Sequence, residues 1–172
     1  MIAVVMATGP SLTADAVDSI RGKCTAIVVS DAYRLAPWAD ALVSADAAWW
    51  KANPDAMGFA GIKLGLLHDF QGVKGVEKMT AASGTNSGLL GIMAAVQLGA
   101  KRILLLGFDL HSPGDHFFGK HPLPLKSTPP GRMDVFKKQF ANYRPRGVEI
   151  INCTPGTALH CYPKDAIENC LA

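Results

Sequence analysis

The chain has 172 residues, 49% hydrophobic and 18% charged. Those proportions exclude extensive disorder and a charge-driven nucleic-acid scaffold, and the length suits a single domain with a substantial core. The net charge of +3 is unevenly placed: residues 108–147 hold seven basic and three acidic side chains, so an anion is expected to meet the protein near that segment.

The first apolar run, Ile2–Met6, leads directly into Gly9-Pro10-Ser11 with no basic leader. It reads as a first strand, not a signal peptide. Leu12, Ala16, Val17 and Ile20 then recur at helical spacing, with Ser11 or Thr13 as the cap. Ala26–Val29 and Ala41–Val43 predict the next strands, and Asp46 caps a short helix through Trp49-Trp50 that Pro54 stops. The tryptophan pair reads as packing. Ile62–Leu67 and Val76–Met79 predict two further strands. Ser87–Leu98 is apolar almost all round, a buried helix ended by Gly99. Ile103–Leu106 is the strongest strand signal. An amphipathic basic helix over Met133–Tyr143, a strand over Val148–Ile151 and a helix over Asp165–Leu171 follow.

Continuous apolar runs suit strands covered on both faces. Their alternation with helices predicts an α/β fold with a doubly wound, mostly parallel sheet. In such sheets ligands bind outside the carboxyl ends of the strands, so the residues after the strands carry the functional expectations.

Gly9-Pro10-Ser11 offers a close-approach turn, a hydroxyl and a helix N-terminus, which suit either a phosphate or an ordinary serine cap. Neither G-x-G-x-x-G nor G-x-x-x-x-G-K-[ST] occurs, which argues against a dinucleotide site and a P-loop. Ser83-Gly84-Thr85-Asn86-Ser87-Gly88 is richer in polar groups than a helix cap requires and reads as an anion or ribose cradle. Asp109 follows the strongest strand and suits a ribose hydroxyl, a metal or an amine.

The stretch of about 109–131 has few helix or strand signals and carries Pro113, Pro122, Pro124, Pro129 and Pro130. Loops of that length are functional or mobile. It holds His111, His116 and His121, and a loop histidine suits general-base work at neutral pH. The His-x4-His-x4-His spacing is no zinc signature, and no metal site is expected. Lys137, Lys138, Arg144 and Arg146 make the following helix and its exit basic, and Tyr143 could donate to a leaving phosphate. Cys24, Cys153, Cys161 and Cys170 include no C-x-x-C pair, which predicts reduced thiols and a cytoplasmic protein. No apolar run approaches the ~18 residues that span a bilayer.

Four segments carry a resemblance: Gly9-Pro10-Ser11-Leu12, Ser30-Asp31-Ala32-Tyr33-Arg34, Ser83-Gly84, and Leu98 through Asp109. In order and placement the chain resembles the Rossmann-like group of family 42 sialyltransferases and MptE-like 6-hydroxymethylpterin diphosphokinases, small versions of which occur in phage genomes. The resemblance implies a Rossmann-like single domain that binds a nucleotide. It places Gly9, Pro10, Ser11, Ser83 and Gly84 at the nucleotide, and the residues around them add Thr8, Ser30, Asp31, Thr85 and Asp109 as expected nucleotide contacts. Thr8 stands where the family usually has asparagine but keeps a hydroxyl, and Asp31 suits a ribose hydroxyl. The resemblance also implies a base at His116 or His121, a tyrosine such as Tyr143 at the leaving phosphate, and no required metal.

The expected function is nucleotide-dependent transfer, foremost glycosyl transfer from a nucleotide sugar to a hydroxyl. The alternatives are Mg²⁺-dependent pyrophosphoryl transfer from ATP, with Asp46 and Asp109 near the metal, and a non-enzymatic, phage-associated binding module. The expected partner is a small nucleotide ligand, with no nucleic acid. A homo-oligomer is left open.

Overall fold

The structure is a computed structural model that describes residues 1–66, 73–81, 85–111, 115–126 and 128–171. Among these residues, seven strands form one sheet: β1 (Ile2–Met6), β2 (Thr25–Val29), β3 (Ala41–Ser44), β4 (Ile62–Leu66), β5 (Glu77–Met79), β6 (Arg102–Leu106) and β7 (Glu149–Asn152). Their order is β5-β4-β3-β2-β1-β6-β7, and every neighbouring pair is parallel.

The continuous apolar runs have a simple cause. Along β1, Val4 and Met6 enter one buried cluster and Ala3 and Val5 the other. Both faces of the strand are covered, so neither alternate position can be polar. Helices α1 (Ala14–Ser19), α2 (Ala47–Ala52) and α5 (Ile167–Leu171) supply Val17, Trp49 and Ile167 to the first cluster. Helices α3 (Ser87–Gln97) and α4 (Pro130–Asn142) supply Leu90, Ile92 and Phe140 to the second. The domain is therefore a doubly wound, Rossmann-like α/β fold.

Each helix start has a local reason. Thr13, not Ser11, caps α1 by accepting from Ala16 N–H at 3.2 Å. Asp46 caps α2 through Ala48 N–H at 2.8 Å, and Asn86 caps α3 through Leu89 N–H at 2.9 Å. α4 begins at Pro130, three residues before the expected Met133, because a proline at the first helical position forfeits no internal bond. Within α3, a Cβ on Gly91 would lie 2.9 Å from both Val5 and Val29, so that glycine lets the helix seat closely on the sheet.

Cys153 and Cys170 face each other in the core, with their sulfurs 4.0 Å apart. Burial, and the neighbouring thiol after it, push the Cys153 pKa up to about 12. Since the thiolate is the reactive form, iodoacetamide at neutral pH is expected to leave Cys153 unmodified until the protein is denatured. Peptide mass spectrometry before and after denaturation checks this, and rapid native labelling would contradict it.

Candidate functional site

The sheet order reverses at β1, which has β2 on one side and β6 on the other. Chain segments leaving β1 and β6 run together briefly before parting. Ala7 N–H donates to the Leu106 carbonyl at 2.8 Å, and Gly9 N–H to the Gly107 carbonyl at 2.9 Å. This close approach requires glycine at both positions. A Cβ on Gly9 would overlap the Asp109 carboxylate and the Gly107 carbonyl, and Gly107 has φ +72° with the Ala7 carbonyl against it.

Asp109 closes this turn. Its carboxylate accepts the Ser11 hydroxyl at 2.7 Å and the Ser11 N–H at 3.3 Å, and the residue is only 7% exposed. The turn between β1 and α1 therefore already holds a carboxylate, the protein's own. Ser11 commits both its hydroxyl and its amide to Asp109 and does not line the cleft.

A cleft of about 600 Å³ opens over the ends of β1, β2, β3 and β6. Of the residues expected at a nucleotide, Thr8, Gly9, Pro10, Ser30, Thr85 and Asp109 line it, together with both candidate bases, His116 and His121. Ser30 has φ +48° and donates its hydroxyl to Ser44 Oγ at 3.2 Å. Ser83 and Gly84 lie outside the described residues.

Asp31 and Tyr143 are not in the lining. Asp31 is buried and accepts Trp49 Nε1–H at 2.8 Å and Arg34 Nε–H at 3.4 Å, so its carboxylate ties α2 to the end of β2. Tyr143 ends α4 and packs against the core, and burial raises its pKa.

The basic helix also divides differently from expectation. Arg144 donates to the carbonyls of Phe140, Tyr143 and Cys161, capping the end of α4, and Lys137 pairs with Asp134 at 3.7 Å. Lys137, Lys138, Arg144 and Arg146 do not reach the cleft. Its cations are Lys126 and Arg132, one in the loop and one in the first turn of α4. Phe108, Phe136 and Phe140 add an aromatic wall, with Phe108 and Phe140 edge to face at 5.8 Å. Sequence reasoning did not place these residues. The i, i+4 spacing of Phe136 and Phe140 marks one helix face, but a helical period does not distinguish a cleft wall from a core.

The histidine loop folds back over the β1 turn. A tight turn from His116 to Gly119 is closed by two main-chain bonds, at 3.1 and 2.9 Å. Thr8 Oγ1 lies 2.8 Å from His116 Nδ1, and the Thr8 carbonyl accepts Phe117 N–H at 2.9 Å. The His116 ring stacks on Phe118 at 4.9 Å and lies 4.4 Å from the His121 ring. Burial, and then His121, lower the His116 pKa below that of an ordinary histidine, so the ring is neutral at pH 7. His111 bonds instead to the Gly156 carbonyl at 2.9 Å.

Asp46 lines the cleft while capping α2. Among the described residues, no three His, Cys, Asp or Glu side chains come together as a metal-binding group. Nor, among them, is any helix long and apolar enough to cross a membrane.

No family model matches the chain, and no curated protein sequence matches it. Its structure is similar to that of the MAf glycosyltransferase from Magnetospirillum magneticum AMB-1, with a TM-score of 0.62 at 16% sequence identity. The match covers 95% of this chain and 33% of that protein, so the chain spans a third of its length. At that identity the likeness shows a shared fold: this chain has the Rossmann-like α/β architecture found in a glycosyltransferase.

Proposed function

We propose that the cleft binds a nucleotide sugar and that the protein transfers the sugar to a hydroxyl acceptor, with His116 as the base. The observation that carries this reading is an oriented imidazole at the topological switch point, bonded to the turn after β1. A histidine in that state can accept a proton at pH 7, and Nε2 is the nitrogen left free by the Thr8 contact.

In the proposed step the acceptor oxygen attacks the anomeric carbon and its proton passes to His116 Nε2. The bond from that carbon to the nucleotide phosphate breaks, and its electron pair leaves with the phosphate. Lys126 and Arg132 supply positive charge for that phosphate, a form of electrostatic catalysis. Asp109 occupies the turn between β1 and α1, so the phosphate belongs on the α4 side of the cleft. Ser30, whose hydroxyl hydrogen goes to Ser44, offers its oxygen as an acceptor to the ribose or base.

Thermal-shift measurements against CMP, CDP, UDP, GDP and ATP test the binding step. At 100 times its dissociation constant, a true ligand stabilises by about 2.7 kcal/mol. For a chain of this size that raises Tm by about 5–11 °C. Lys126→Ala combined with Arg132→Ala should remove most of the shift. A flat response to all five nucleotides would overturn the proposal in favour of a non-enzymatic module. Stabilisation by ATP alone, and only with Mg²⁺, would overturn it in favour of pyrophosphoryl transfer.

A further inference from the structure

The proposed base is held by one residue that no motif singles out as catalytic. Thr8 meets the histidine turn twice: through Oγ1 to His116 Nδ1 at 2.8 Å and through its carbonyl to Phe117 N–H at 2.9 Å. The two partners are adjacent in the loop, while Thr8 is 108 residues away from His116 and immediately precedes Gly9. One residue thus fixes both the position of the turn and the rotation of the ring. Phe118, stacked on the other side, limits the ring to that plane.

We propose, on the basis of the functional reading above, that Thr8 is the positioning residue of His116, and that its hydroxyl sets which ring nitrogen takes the acceptor proton. A threonine hydroxyl both donates and accepts. When His116 takes a proton at Nε2, Nδ1 must also carry one, and it needs an acceptor. Thr8 Oγ1 provides that acceptor without any side-chain movement beyond rotation of its own hydrogen. Valine, nearly the same shape, cannot. The second proton would then lose its hydroxyl partner at a part-buried site, with only the Thr8 main chain left beside the ring, which disfavours the charged form.

The other charged or titratable groups that act on His116 are His121, 4.4 Å away ring to ring, and the carboxylates of Asp115 and Asp31. Thr8→Val leaves all three in place. It also keeps the main-chain bond to Phe117. Any change in His116 behaviour then reports the hydroxyl.

The experiment is a pH titration of the imidazole ¹H–¹⁵N signals in the wild type, Thr8→Val and Thr8→Ser. The proposal expects a lower His116 midpoint and an altered neutral tautomer in Thr8→Val, with wild-type behaviour restored in Thr8→Ser. Thr8→Ala serves the same purpose if the valine variant does not fold. A purely structural threonine would change Tm while leaving midpoint and tautomer unaltered, and that outcome would overturn the proposal. In transfer assays, Thr8→Val should lower kcat by about tenfold or more with little change in donor KM. The ring titration needs no substrate. Absence of transfer by the wild type would therefore defeat the functional reading alone, and an unchanged titration would defeat the role of Thr8 alone.

Discussion

Replacing His116 with glutamine is expected to lower kcat by roughly 10²–10⁴-fold, the usual contribution of a positioned base. Nucleotide stabilisation in thermal shift should stay within about 1 kcal/mol of wild type, because the phosphate is assigned to Lys126 and Arg132. Glutamine keeps a polar group near Thr8 Oγ1 but cannot accept a proton at neutral pH. His121→Gln should have a smaller effect. His121 is the second influence, after burial, that lowers the His116 pKa, so removing it should raise that pKa toward its ordinary value. The acidic limb of the pH–rate profile should accordingly move to higher pH in His121→Gln. In the wild type the limb should lie below the ordinary histidine range, because the proposed base acts in its neutral form. Unchanged turnover in His116→Gln would remove His116 from the mechanism.

The same shift bears on stability. The folded-state pKa of His116 is lowered, so the unfolded chain binds more protons as the pH falls. The stabilising contribution of the neutral ring is complete above about pH 6.5, the unfolded value, and declines as the pH drops toward the folded value. His116→Gln should flatten that part of the stability curve, as measured by urea unfolding at a series of pH values.

Gly107→Ala is expected to be the most damaging small substitution in the site. The residue has φ +72°, which costs an L-residue about 1–2 kcal/mol, and a Cβ there would press on the Ala7 carbonyl. Overpacking adds about 1–3 kcal/mol. A combined loss of about 3 kcal/mol corresponds to a Tm lowered by about 6–12 °C. Gly9→Ala acts differently, because its backbone is not in the left-handed region. There the added methyl meets the Asp109 carboxylate and the Gly107 carbonyl, so the Ser11–Asp109 bond should break and the cleft floor shift. Gly131→Ala is the control. It lies in α4, has open space around it, and should be neutral or stabilising by up to about 1 kcal/mol. Thermal unfolding of the three variants separates these outcomes. A Gly107→Ala variant as stable as the Gly131→Ala control would show that the β1 and β6 turns are not tightly apposed.

Much of this arrangement was legible in the residues. Ile2–Met6 and the run ending at Leu106 stand out because both of their faces are buried, which leaves a continuous apolar stretch. Asp46, the Ser11-or-Thr13 cap and the Gly99 stop were readable because capping depends on residues only two to four positions apart. The histidine loop was legible as a place of interest, but the choice between His116 and His121 was not. That choice rests on Thr8, whose side chain reaches His116 from 108 residues away. Asp31 and Tyr143 show the converse. Both carry the right chemistry directly after an element, yet Asp31 points to Trp49 and Tyr143 packs on the core.

The sequence by itself determined the order of strands and helices, the two-faced burial of the sheet, and the stretch that carries the excess positive charge. Local periodicity and capping are properties of neighbouring residues, and charge is a simple count. Only the tertiary structure decided that Asp109 closes the turn between β1 and α1, that Arg144 caps a helix, and that Lys126 and Arg132 are the cations facing the cleft. Those assignments depend on where parallel crossovers bring distant strand ends together. Side chains far apart in the chain become partners only once the sheet has set β6 beside β1.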